Sequence, residues 1–137
     1  MSSVDFRVAH LGASVVAGLL AKGVLLITVS GSVTGSTVRS VRPLLAAKYR
    51  ASARVVIADY SGALMALDAA DIWDLMTAGC DQSVPPLPAA FVVSPSMAGP
   101  MTDAALSAGI SRGLLCVVKR DVQSALAWAA SARVPCY

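Results

Sequence analysis

Residues 55–72 read VVIADYSGALMALDAADI. The β-branched run Val55-Val56-Ile57 has the signature of a buried strand, and Asp59-Tyr60-Ser61-Gly62 behind it reads as a polar turn that closes the strand. A second short apolar piece, Ala63 to Leu67, leads into Asp68-Ala69-Ala70-Asp71. Two carboxylates three residues apart resemble a capping box, with acidic charge at the positive end of a helix dipole. The stretch therefore predicts a strand, a polar loop and a helix start in succession. The carboxyl end of a strand is where open α/β sheets place their sites.

Upstream, Val24-Leu25-Leu26-Ile27-Thr28-Val29 predicts a fully buried strand. The wider run Val15 to Val29 is apolar enough to suggest a membrane helix, but Lys22 and Gly23 split it into two strand-length pieces. The expectation is a hairpin, Ser14 to Leu20 and Val24 to Ser30, turning at Ala21-Lys22-Gly23, with Asp5 to Leu11 as an edge strand. Asp5 and Arg7 near the N-terminus, without an apolar segment, argue against a signal peptide. Ser36 or Thr37 offers an N-cap for a helix reaching about Arg50. Pro43 predicts a late start near Ser40, or a kink, because proline breaks helix interiors.

Downstream, Ala69 to Ala78 reads as a helix with Ile72, Leu75 and Met76 on one face, stopped by Gly79. A proline-rich loop, Cys80 to Pro88, precedes a strand at Ala89 to Val93. Thr102 to Ala108 reads as a short helix closed by Gly109, and Gly113 to Lys119 as a strand. Asp121 caps a last helix whose Val122, Ala125, Leu126 and Ala129 face inward, and Val134 to Tyr137 form a tail. Strands alternating with helices predict an α/β sandwich: a mixed, mostly parallel sheet of four or five strands covered by about four helices. The 137 residues favour a single domain over 1–137.

Composition narrows the function. The chain is 56% apolar and only 14% charged, against a usual charged share of about 25%. Extra buried surface is implied, and a homo-oligomer is one way to supply it. Net charge is +3, with Arg39, Arg42, Lys48, Arg50 and Arg54 close together in sequence. No aromatic platform interleaves with them for base stacking, so the cluster reads as a solvated helix face and no nucleic acid is expected. Cys80, Cys116 and Cys136 form no CxxC pair and His10 is the one histidine, which argues against a zinc site. Cys116, in an apolar run, reads as a core thiol. Reduced cysteines fit a cytoplasmic location.

Three constellations could carry chemistry. Gly31, Ser32, Thr34, Gly35 and Ser36 lie between a strand and a helix, where backbone N–H groups could form an anion-binding loop. The segment lacks the Gly-Lys-Ser/Thr of a P-loop, so a tight turn with capping hydroxyls explains it as well. Asp59, Asp68 and Asp71 could hold magnesium, although two of them are explained as helix caps, and no metal or other cofactor is expected. His10 lies far in sequence from any nucleophile, there is no GxSxG elbow, and no catalytic pair stands out. Enzymatic activity is therefore not expected. The rival is a small nucleotide-binding enzyme using Gly31 to Ser36 with Asp59 and Asp68.

Parsed this way, Gly23 to Ala132 resembles the STAS domain, the fold of bacterial anti-sigma factor antagonists. The resemblance is carried by Leu25-Leu26-Ile27-Thr28-Val29-Ser30-Gly31, by Ala58-Asp59-Tyr60-Ser61 where the family reads DLS, and by Leu67-Asp68-Ala69-Ala70-Asp71-Ile72 where it reads IDSSGL. Ala89 to Ser94, Ala105 to Ile110 and Asp121 to Trp128 are similar to the later strand and helix ends. The resemblance implies a regulatory module that binds a protein through the Asp loop and following helix, here Asp68, Ala69, Ala70 and Trp73. In those antagonists a serine two residues after the aspartate is phosphorylated. Ala70 holds that place and has no hydroxyl, so the usual switch is absent. Ser61, the nearest hydroxyl, could substitute. The Sec14-type relatives of the fold imply an alternative, a small apolar ligand or lipid.

Overall fold

The computed structural model describes residues 4–76, 87–113 and 115–131. Six strands form one sheet in sequential order: β1 (Phe6–His10), β2 (Ala13–Leu19), β3 (Val24–Thr34), β4 (Val55–Ala66), β5 (Ala89–Val92) and β6 (Cys116–Lys119). β1, β2 and β3 form an antiparallel meander, and β3 to β6 run parallel. The sheet is mixed and mostly parallel, as the apolar runs predicted, but has six strands rather than four or five.

The predicted hairpin is present. Leu19 pairs with Leu25 across a turn in which Lys22 and Gly23 take positive φ. Arg54 then locks that turn to β4, its backbone N–H donating to the Gly23 carbonyl at 2.7 Å and its Nε to the Lys22 carbonyl at 3.0 Å. The β1–β2 turn is two residues, Leu11 and Gly12, both at positive φ, as the twist of a tight hairpin demands.

Among the described residues four helices complete the fold: α1 (Gly35–Tyr49), α2 (Ala69–Met76), α3 (Pro95–Arg112) and α4 (Val122–Ser131). α1, α2 and α3 pack with one sheet face around Val15, Ile27, Val38, Leu75 and Met101. α4 covers the other face, laying Ala125 and Ala129 on Val55, Ile57, Ala90 and Val92. The alanines predicted to face inward on α4 do so, and Asp121 caps the helix by accepting from the Ser124 N–H at 2.7 Å. No helix among the described residues is long and apolar enough to cross a membrane.

Several boundaries differ from expectation. α1 neither starts late nor stops at Pro43: Thr34, not Ser36 or Thr37, is its N-cap, and Pro43 sits inside a continuous helix. Pro43 is on the exposed side, so its missing N–H costs one hydrogen bond while buried Val38, Val41 and Tyr49 hold the helix on both sides. α3 likewise runs through Gly99, Pro100 and Gly109. It begins with Pro95 at its N-terminus and ends at Gly113, whose φ of 68° forms the cap expected at Gly109. Burial of Met101, Ala105 and Ala108 outweighs the local breakers. Consequently β6 begins at Cys116 rather than Gly113. The predicted stop at Gly79, most of the loop Cys80 to Pro88 and the tail Val134 to Tyr137 lie outside the described residues.

Tyr49 ties the end of α1 to the meander. Its hydroxyl donates to Asp5 and also approaches the Ala17 carbonyl at 3.4 Å. Its ring meets Phe6 edge-on at 6.4 Å, and Lys48 Nζ lies 5.7 Å from the ring centre. Burial, followed by the hydrogen bond and the negative charge of Asp5, pushes the phenol up to about 12. The native state thus holds the proton more tightly than the unfolded chain, whose tyrosines titrate near 10. The stabilisation is complete below about pH 10 and is lost as pH rises towards 12. Urea midpoints should fall across that window, and Tyr49→Phe should flatten the fall. An unchanged slope in the variant would show that Tyr49 is not the titrating group.

Candidate functional site

The start of α2 is the predicted helix start, and its capping box is reciprocal. The Asp71 N–H donates to Asp68 Oδ1 at 2.8 Å, and the Asp68 N–H donates to Asp71 Oδ2 at 3.3 Å. Asp68, Ala69 and Ala70 are exposed, and Trp73 is half-buried against the core beneath them. Ile72, Leu75 and Met76 form the buried face, as their spacing predicted. The first turn of α2 therefore offers two methyl groups flanked by a carboxylate, on a backbone fixed by its own cap.

Long-range contacts that the sequence did not announce hold this turn in place. Arg39 of α1 bonds Asp71 Oδ1 at 3.3 Å and reaches Asp74 Oδ2 at 3.7 Å. Arg42 donates to the Asp74 carbonyl at 3.4 Å. The basic stretch is thus not a uniformly solvated face: Arg39 and Arg42 cross-link α1 to α2, while Arg54 pins the hairpin turn.

Gly35 explains how closely the two helices meet. A Cβ there would lie 2.1 Å from Asp71 Oδ1 and 2.6 Å from Asp71 Cγ. The Asp71 carboxylate therefore lies against the N-terminus of α1, where the helix dipole favours an anion. The anion-binding loop expected at Gly31 to Ser36 is not a loop. Gly31, Ser32 and Thr34 continue β3, paired in parallel with Ala63, Leu64 and Ala66, and Gly35 and Ser36 are the first residues of α1. The position an external anion would take at that helix end is filled from within the chain.

The polar turn expected at Asp59 to Gly62 is also strand. β4 continues through it by a bulge: Thr28 faces Asp59 and Ser30 faces Gly62, so two steps of β3 match three steps of β4. Asp59 Oδ1 stabilises the bulge, accepting from the Ser61 N–H at 2.9 Å and from the Ser61 hydroxyl at 2.6 Å. Ser61 is exposed but is not brought to the Asp68 turn. The regular strand from Gly62 to Ala66 alone separates them by about 13 Å.

Asp59 is thus engaged at the bulge, Asp68 and Asp71 at the cap. Among the described residues no three His, Cys, Asp or Glu side chains gather as metal ligands. His10 lies half-buried in β1, its Nδ1 shielded and without a hydrogen-bond partner among those residues. Cys116, predicted as a core thiol, is half-buried on β6.

A sheet of this order, with three helices on one face and a terminal helix on the other, defines a STAS-like fold, and solved structures agree. An uncharacterized protein of the DUF3478 family with a SpoIIAA-like fold, from Shewanella loihica PV-4, is similar over 93% of this chain and 98% of its own, with a TM-score of 0.56 and 17% identity. An anti-sigma factor antagonist from Mycobacterium paratuberculosis is similar over 96% of both chains, with a TM-score of 0.57 and 14% identity. No family model matches the sequence, and no curated protein matches it significantly.

Proposed function

We propose that this chain is a non-enzymatic regulatory module that docks a protein partner on the first turn of α2, through Asp68, Ala69, Ala70 and Trp73. The observation that carries this reading is the exposed Ala69-Ala70 pair on a helix start fixed by its own cap and by Arg39. Small side chains let a second backbone approach closely, and a prefixed surface loses little entropy on docking. Likeness of fold to an anti-sigma factor antagonist supports a regulatory role. Ala70 cannot accept phosphate, so docking is constitutive with respect to a kinase acting there. Ser61 lies outside the surface, on the β4 bulge. A cytoplasmic setting and function as one domain, alone or as a homo-oligomer, complete the reading.

The nucleotide-enzyme alternative loses its motivation, because the residues meant to cradle a phosphate are strand and helix and a carboxylate lies at the helix end. The apolar-ligand alternative rests on a different feature, a cavity beneath α1.

Hydrogen exchange with and without a captured partner tests the docking surface. The complex should slow exchange at residues 68–73 and leave the Asp59–Ser61 bulge unchanged. Protection confined to the exposed Leu106 and Ile110 side of α3 would move the interface elsewhere.

A further inference from the structure

Between α1 and the sheet lies a cavity of about 250 Å³. Its α1 wall runs from Thr37 to Arg50, about 20 Å at a helical rise of 1.5 Å per residue. Val38, Val41 and Leu45 line it from the helix, and Ile27, Val56 and Phe91 from the sheet. An apolar cavity of 150 Å³ already admits benzene, so this one has room for a larger apolar body.

Thr37, Arg42, Tyr49, Arg50, Tyr60 and Cys116 break the apolar lining, and of these Tyr60 and Arg42 point to the ligand's chemistry. Tyr60 lines the cavity and is only 8% exposed, yet no group among the described residues hydrogen-bonds its hydroxyl. The hydroxyl keeps some solvent access, so it can take a partner from outside the chain. Arg42 also lines the cavity, half-buried. Its one described bond goes to a backbone carbonyl, and no carboxylate among the described residues lies within ion-pair distance of it. Arg39, three residues earlier, has two carboxylates. A half-buried arginine at the cavity wall, with no carboxylate among the described residues in ion-pair distance, favours a carboxylate on the ligand.

We propose that the cavity binds one small apolar carboxylic acid, its hydrocarbon body between α1 and the sheet and its carboxylate on Arg42, with Tyr60 hydrogen-bonding a polar atom of the ligand. This deepens the apolar-ligand alternative by naming the ligand class, and it is independent of the docking surface on α2.

Calorimetric titration of the full chain with decanoate, below its micellar concentration, tests the proposal against 1-decanol, which has the same chain without the charge. Decanoate should bind once and saturably. Arg42→Gln should weaken it at least tenfold while changing 1-decanol less than twofold, and Tyr60→Phe should weaken decanoate by threefold or more. Val41→Trp fills the cavity and should abolish binding of both. Ala46→Phe, at a half-buried position on the same wall, replaces it if the tryptophan variant fails to fold. Equal losses of both ligands in Arg42→Gln, or none, would overturn the acid and leave the apolar-ligand reading standing. Absence of binding by either ligand, or binding that survives in a folded cavity-filling variant, would overturn both.

Discussion

Ile57→Ala should lower the unfolding free energy by about 4 kcal/mol, at the upper end of the 2–5 kcal/mol range for such truncations. Ile57 is fully buried in the centre of the sheet, with β3 on one side and β5 on the other, and its cluster includes Ala125 and Ala129 of α4. Those neighbours are small and fixed to helix or strand backbone, so they collapse poorly into the space left behind. Among the described residues α4 is the one helix on its sheet face, and it should therefore loosen first. Urea unfolding gives the magnitude, and hydrogen exchange of α4 gives the place. A loss below about 1 kcal/mol would mean that α4 does not seal this face.

Gly31→Ala should cost about 3 kcal/mol, for two reasons that add. Gly31 sits at φ 81°, where a residue with a Cβ pays about 1–2 kcal/mol. Its Cβ would also lie 2.2 Å from the Gly12 carbonyl oxygen, and backbone cannot swing aside as a side chain can. The β1–β2 turn would be pushed off β3, and the Ser32 N–H would lose its 3.3 Å bond to the same carbonyl. Gly62→Ala is the control, since a Cβ there meets nothing within 4 Å. Equal stabilities of the two variants would show that the turn does not rest on β3.

Local chemistry was legible in the sequence, and continuation across long distances was not. Asp68 and Asp71 cap α2 because spacing and charge suffice to specify a box, and Asp121 caps α4 for the same reason. The hairpin at Lys22-Gly23 followed from two apolar runs and a turn. By contrast, Asp59-Tyr60-Ser61-Gly62 read as a strand end, because polarity and glycine signal a turn when no partner strand is visible. The partner, Ser30 to Thr34, lies about thirty residues earlier and absorbs the surplus residue as a bulge. That error also turned Gly31–Thr34 into a loop. Gly109 misled for a related reason: its helical penalty is local, whereas the burial of Met101 and Ala108 that offsets it is tertiary. In the candidate site, the exposed alanines could be placed from sequence. The Arg39–Asp71 link and the approach of Asp71 to Gly35 could not, because each joins residues more than thirty apart.

The docking surface is tested most directly by titrating a partner captured from the source cell against wild type and Ala70→Glu. A glutamate at position 70 would put a third carboxylate beside Asp68 and Asp71, and desolvating it in a close interface costs more than about 1 kcal/mol. Affinity should fall at least several-fold, with unfolding stability unchanged and wild-type binding indifferent to kinase treatment. Equal affinities of the two proteins would contradict docking on the first turn of α2.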